Sequence, residues 1–175
     1  GFAGSAGLLL VAPDTACLMV DGRYEGSVRE RAARGNLGPV SPVRVERRYD
    51  LTLEAVVRAQ ALARIGFEAA HVTVATLRRW QQMMPSIDWR PTDGVVEHLR
   101  VIKDAYEIDV LRRAAGKLSD VARSAGEWIA AGRVERDVAS DIDRALRRAG
   151  FSAPAFPTIV ASGEQTAYPH ARPTD

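Results

Sequence analysis

Leu8-Leu9-Leu10-Val11-Ala12-Pro13-Asp14-Thr15-Ala16-Cys17-Leu18-Met19-Val20-Asp21-Gly22-Arg23-Tyr24 is the stretch from which the fold is read. Two apolar runs, Gly7 to Val11 and Ala16 to Val20, flank Ala12-Pro13-Asp14-Thr15, where proline presets φ and aspartate favours a bend. This predicts a hairpin of buried strands. Downstream, the charged segment 25–34 stops at Gly35-Asn36 and reads as a short surface helix. Val43-Arg44-Val45-Glu46 alternates like a half-exposed strand. The spacing of Leu53, Val56, Val57, Gln60, Ala61 and Arg64 predicts a helix ended by Gly66, and the β-branched run His71-Val72-Thr73-Val74 predicts a strand. A helix over 76–83 follows, closed by Pro85. Alternating strands and helices make an α/β domain.

Trp89-Arg90-Pro91-Thr92-Asp93-Gly94 is rich in turn formers and reads as an interdomain linker. Beyond it Ile108, Leu111, Ala115, Leu118, Ala122, Ala125 and Ile129 recur at steps of three and four, the signature of a long amphipathic helix stopped by Gly132. A second helix buries Val138, Ile142, Ala145, Leu146 and Ala149 and ends at Gly150. Residues 156–161 then read as a strand leading through Ser162-Gly163 into a loop that holds His170.

The 175 residues are 46% hydrophobic and 26% charged, the make-up of a globular protein with a real core. No apolar run approaches the roughly 20 residues of a spanning helix. Cys17 is the single cysteine, so no internal disulfide forms, and its apolar neighbours make it a buried thiol. Net charge is +2, and acids interleave the arginines, as in Arg133-Val134-Glu135-Arg136-Asp137. That reads as a solvated surface and argues against nucleic-acid binding.

The candidate sites are few. Gly1, Gly4 and Gly7 lack the spacing of a dinucleotide loop, and a strand follows where a helix is required. Asp21-Gly22-Arg23-Tyr24 reads as a turn with Tyr24 packed at a helix start. His71 and His98 have no ligand partner at helical or turn spacing and read as structural or exposed. Asp137, Asp141 and Asp143 share a helix crowded by arginines, a salt-bridged face and not a metal site. Ser162-Gly163 lacks the nucleophile-elbow pattern. His170 stands apart, because the Tyr168-Pro169 turn could project its imidazole into a cleft.

Three stretches together resemble the Xaa-Pro aminopeptidase and prolidase family, relatives of creatinase and methionine aminopeptidase with the pita-bread fold. They are Gly1 to Tyr24; Leu99-Arg100-Val101-Ile102-Lys103-Asp104-Ala105-Tyr106-Glu107-Ile108; and Phe156-Pro157-Thr158-Ile159-Val160-Ala161-Ser162-Gly163 with Pro169-His170-Ala171. The resemblance implies an α/β creatinase-like amino-terminal domain over residues 1–94, incomplete at its start, and the opening helices and strand of a pita-bread α+β catalytic domain over 95–175. It implies that His170 is an active-site histidine contacting the substrate or intermediate. The family's two divalent cations, manganese, cobalt or zinc, are held by aspartates, a histidine and glutamates that come after the His170 motif, so no metal ligand is assigned here.

The chain has no initiator methionine and is expected to be a piece of a metal-dependent peptidase cleaving peptides with proline at the second position, inactive alone. The resemblance further implies a cytoplasmic homodimer with no nucleic-acid or membrane partner. A metal-free relative that binds peptides or proteins, and a creatinase-like hydrolase, are the alternatives. Two departures from the family pattern carry expectations. Val134 stands where relatives commonly show a capping threonine, so one helix N–H loses a side-chain partner at a cost of about 1 kcal/mol. The missing first strand and helix should leave a sheet edge unpaired.

Overall fold

The computed structural model describes residues 2–175, so Gly1 of the glycine motif lies outside the described residues. The chain divides into two compact units, Gly1–Glu97 and His98–Asp175.

In the first unit, β1 (Leu8–Ala12) and β2 (Thr15–Asp21) form the expected antiparallel hairpin, with Leu8 opposite Met19 and Ala12 opposite Thr15. The chain enters α1 (Gly22–Ala33) directly from β2 and returns as β3 (Ser41–Val45), parallel to β2 with Cys17 opposite Ser41. Because β2 is central, its alternating side chains feed two cores. Met19 packs with Leu10, Val45, Leu53, Val57, Ile65, Trp80 and Met84, whereas Leu18 and Val20 pack on Val28 of α1. Cys17 is half-buried, less enclosed than its apolar neighbours suggested.

The second half of this unit is another strand–helix–strand crossover. After α2 (Tyr49–Ala59) come β4 (Arg64–Glu68), α3 (Val74–Met83) and β5 (Asp88–Thr92), with β4 and β5 parallel. Four expectations are corrected here. The helix read to Arg64 ends at Ala59, where Ala61 takes a positive φ of 50°. Gly66 lies within a strand and does not end a helix. His71 to Thr73 do not form a strand; they are a turn in which Thr73 caps α3, its hydroxyl accepting from the Thr76 N–H at 3.2 Å. The presumed linker 89–94 is mostly β5, and Trp89 stacks on Trp80 with ring centroids 5.3 Å apart. Residue preference for turns lost to burial of an aromatic pair.

Among the described residues β1 pairs only with β2, and β4 only with β5. The β1 edge is therefore unpaired, as expected. Residues of β1 and β4 line a cleft of about 300 Å³, and the nearby Trp89 Nε1 has no hydrogen-bond partner.

The second unit begins within α4 (Val95–Val101) and continues through α5 (Ala105–Ser124), a 3-10 turn at Ala125–Glu127, and α6 (Glu135–Arg148). A full capping box starts α5: Asp104 accepts from the Glu107 N–H at 2.8 Å and Glu107 from the Asp104 N–H at 2.9 Å. The helix stops at Ser124, short of Ile129, and Gly132 and Gly150 turn the chain with φ of 85° and 92°. Residues 156–161 are not paired into a sheet, which corrects the expected strand; Thr158 instead donates its hydroxyl to Asp143.

Candidate functional site: the histidine loop

Glu135 organises the segment around His170. As the first residue of α6 it is buried, and its carboxylate accepts four hydrogen bonds. The Ser162 N–H and hydroxyl reach one oxygen at 2.6 and 2.7 Å, and the Thr174 N–H and hydroxyl reach the other at 3.0 and 2.9 Å. These donors favour the charged form and hold its pKa down to about 2, the Ser162 hydroxyl having the largest effect. The two ends of the loop are thereby tied to one side chain. Glu135 had been read as part of a solvated charge run; its place in the first helical turn, where an anion faces free N–H groups, was the available signal.

The start of α6 is closed from the same loop. Val134 offers no side-chain cap, but the Thr174 carbonyl accepts from the Arg136 N–H at 3.2 Å, and Arg136 also pairs with Asp175 at 2.7 Å. The side-chain cap is absent as expected, and a backbone carbonyl takes its place.

Between these anchors, Gly163 takes a φ of 53°, where a side chain would be strained, and begins a 3-10 turn, Gly163–Ala167. The Ala171 N–H then donates to the Tyr168 carbonyl at 3.1 Å, so Tyr168 to Ala171 is a β-turn with Pro169 and His170 at its centre. Ala171 is buried while His170 is exposed. The loop thus presents an imidazole on a hydrogen-bonded base, able to donate or accept one hydrogen bond to a bound molecule.

The other expected sites resolve as structure. Asp21 caps α1 from the Arg23 N–H at 3.0 Å, pairs with the Arg23 guanidinium at 2.8 Å and accepts from the Tyr49 hydroxyl at 3.0 Å. Its pKa falls well below the usual carboxylate range, chiefly through Arg23. The Tyr24 hydroxyl lies 2.6 Å from that of Ser5, and its ring meets Phe2 edge-on. Asp141 pairs with Arg133 at 2.8 Å and Arg144 at 2.9 Å, the salt-bridged face expected of α6. His98 is exposed on α4. His71 departs from its reading, because its ring lies within 4.8 Å of the carboxylates of Glu68 and Glu97.

A pair of divalent cations needs several converging carboxylate and imidazole groups. Among the described residues of the second unit, no three histidine, cysteine, aspartate or glutamate side chains converge. The residues beside His170 do not fit such a pair.

Comparison with known proteins bears on the family and the fold. Residues 1–102 match the creatinase/prolidase N-terminal domain, and residues 109–175 match metallopeptidase family M24. An uncharacterised peptidase of Bacillus subtilis is 29% identical across the whole chain, which covers 48% of that protein. An Xaa-Pro dipeptidase of Pyrococcus furiosus is 34% identical over 50% of the chain and 25% of its own length. A solved Xaa-Pro dipeptidase from Bacillus anthracis superposes with a TM-score of 0.84 at 27% identity, covering 99% of this chain and 47% of that one. The chain spans about half the length of such relatives at most. With more than half its residues in the first match and most of the remainder in the second, this chain belongs to the creatinase/prolidase family, joining that family's N-terminal domain to the beginning of an M24 metallopeptidase domain.

Proposed function

We propose that this chain is part of a metal-dependent peptidase that hydrolyses the bond between an N-terminal residue and proline, in dipeptides or longer peptides. In this reading residues 1–94 shape the substrate entrance and support a homodimer, and residues 95–175 open the catalytic domain. His170 hydrogen-bonds the substrate carbonyl or the intermediate formed from it. Two divalent cations, manganese, cobalt or zinc, are bound by a longer protein that contains this sequence, and the setting is cytoplasmic. Among the described residues no helix is long and apolar enough to cross a membrane.

The observation that carries the reading is the turn at Tyr168–Ala171, which holds an exposed imidazole over a base fixed by Glu135. A surface histidine with no role would not need both flanks of its loop tied to one buried carboxylate. The names of the aligned relatives add the substrate class.

In a longer protein containing this sequence, His170→Ala is expected to lower kcat for an Xaa-Pro dipeptide by at least about 100-fold while bound metal stays constant. Unchanged turnover would remove His170 from the site. The 175-residue chain is expected to give no chelator-sensitive cleavage of the same dipeptide.

A further inference from the structure

Away from the histidine loop, three side chains of the first unit converge on one point. Glu68 ends β4. Its carbonyl accepts from the His71 N–H at 3.1 Å and the Val72 N–H at 2.9 Å, a tight turn that brings the side chains of Glu68 and His71 to one side. The Ala69 N–H donates to the Thr92 carbonyl at 3.0 Å, which fixes the turn to the end of β5. From there Gly94, at a φ of 64°, reverses the chain into α4, whose first turn carries Glu97 back over His71. One ligand atom from each of Glu68, His71 and Glu97 lies within 4.8 Å of the others.

Many carboxylates of the molecule sit against arginine, as in Glu25 with Arg29 at 2.9 Å and Glu54 with Arg58 at 2.7 Å, and others accept from hydroxyl or backbone N–H groups, as Glu135 and Asp104 do. Among the described residues, Glu68 and Glu97 have no arginine or lysine partner, and the three side chains make no hydrogen bond or ion pair. Two carboxylates and an imidazole are left within 4.8 Å of one another, a grouping whose charge a divalent cation would neutralise.

We propose that Glu68, His71 and Glu97 bind a zinc-class divalent cation in the first unit. One imidazole nitrogen and two carboxylate oxygens match the donors zinc accepts, and water completes the coordination. Bonds of about 2.1 Å bring ligand atoms to about 3.5 Å from one another, a closure that rotamer changes of exposed side chains supply. Calcium and magnesium, which prefer all-oxygen shells, bind more weakly. The ion bridges β4 and α4 and stabilises the turn between them.

The test uses the metal-free, tag-free 175-residue chain, titrated with zinc by calorimetry and with cobalt by visible absorption. One zinc per chain is expected, with Kd at or below about 100 μM, together with a rise in the melting temperature. His71→Ala and Glu97→Gln should each weaken binding at least about tenfold and abolish the thermal shift, while His98→Ala binds as the parent does. The substituted side chains are exposed, and circular dichroism checks that the variants remain folded. Absence of saturable binding, equal affinity in His71→Ala, or magnesium binding as tightly as zinc would each overturn the proposal.

Discussion

A carboxylate can look like surface decoration in a sequence and still decide how a loop is held, and Glu135 is the case here. Its four donors stabilise the ionised form in the folded state, so its folded pKa lies below the ordinary 4.5, at about 2. The contribution is therefore fully present above about pH 4.5 and is lost as pH falls through about 2. Glu135→Gln should remove this acid-side loss, lower the urea midpoint at neutral pH, and speed amide exchange at Ser162 and Thr174. A flat difference between the two proteins across that pH range would contradict the assignment. Val134 gives the opposite lesson. Because the Thr174 carbonyl already serves the Arg136 N–H, Val134→Thr should change unfolding free energy by less than about 0.5 kcal/mol, below the usual gain from a capping side chain. Neither outcome was legible in the sequence, since each depends on a partner far along the chain. The exposed turn that carries His170 was legible because proline beside it is a local signal.

At the scale of elements, reading succeeded where the pattern was local and failed where packing chose. The hairpin, α1 and the two long helices follow from turn residues and periodicity. The strands β4 and β5 were missed because Gly66 and Pro91 resemble punctuation, whereas the parallel pairing and the Trp80–Trp89 stack override them. Burial also sorts the substitutions. Met19 of β2 is 0% exposed at the centre of the larger core, so Met19→Ala should cost about 2–5 kcal/mol in a denaturant titration. Leu118 of α5 is 52% exposed, and Leu118→Ala should cost less than about 1 kcal/mol. Comparable losses at the two positions would show that the α5 stripe is covered in solution.

Across the whole molecule, buried apolar mass is divided unevenly. Both hydrophobic clusters lie in the first unit, while the second buries only Val138, Ala139 and Ala171 among its hydrophobic residues. Marginal stability set by burial then predicts two unfolding transitions, the first belonging to residues 98–175. Single-tryptophan variants separate them: Trp128 fluorescence should change at lower urea than Trp80 fluorescence, and coincident curves would refute the division. The chain divides after Glu97, whereas the linker expected at 89–94 is mostly β5. The scarcity of core in the second unit was not legible in the sequence, because amphipathic spacing names the face a helix can bury without supplying what covers it.

The double tether at Glu135 also sets a length requirement on heredity. An aspartate there would keep the charge yet fall one methylene short of spanning Ser162 and Thr174 together. Drift at this position is therefore constrained by reach as well as by ionisation, and a charge-preserving exchange should slacken the turn beneath His170 almost as surely as a neutral one.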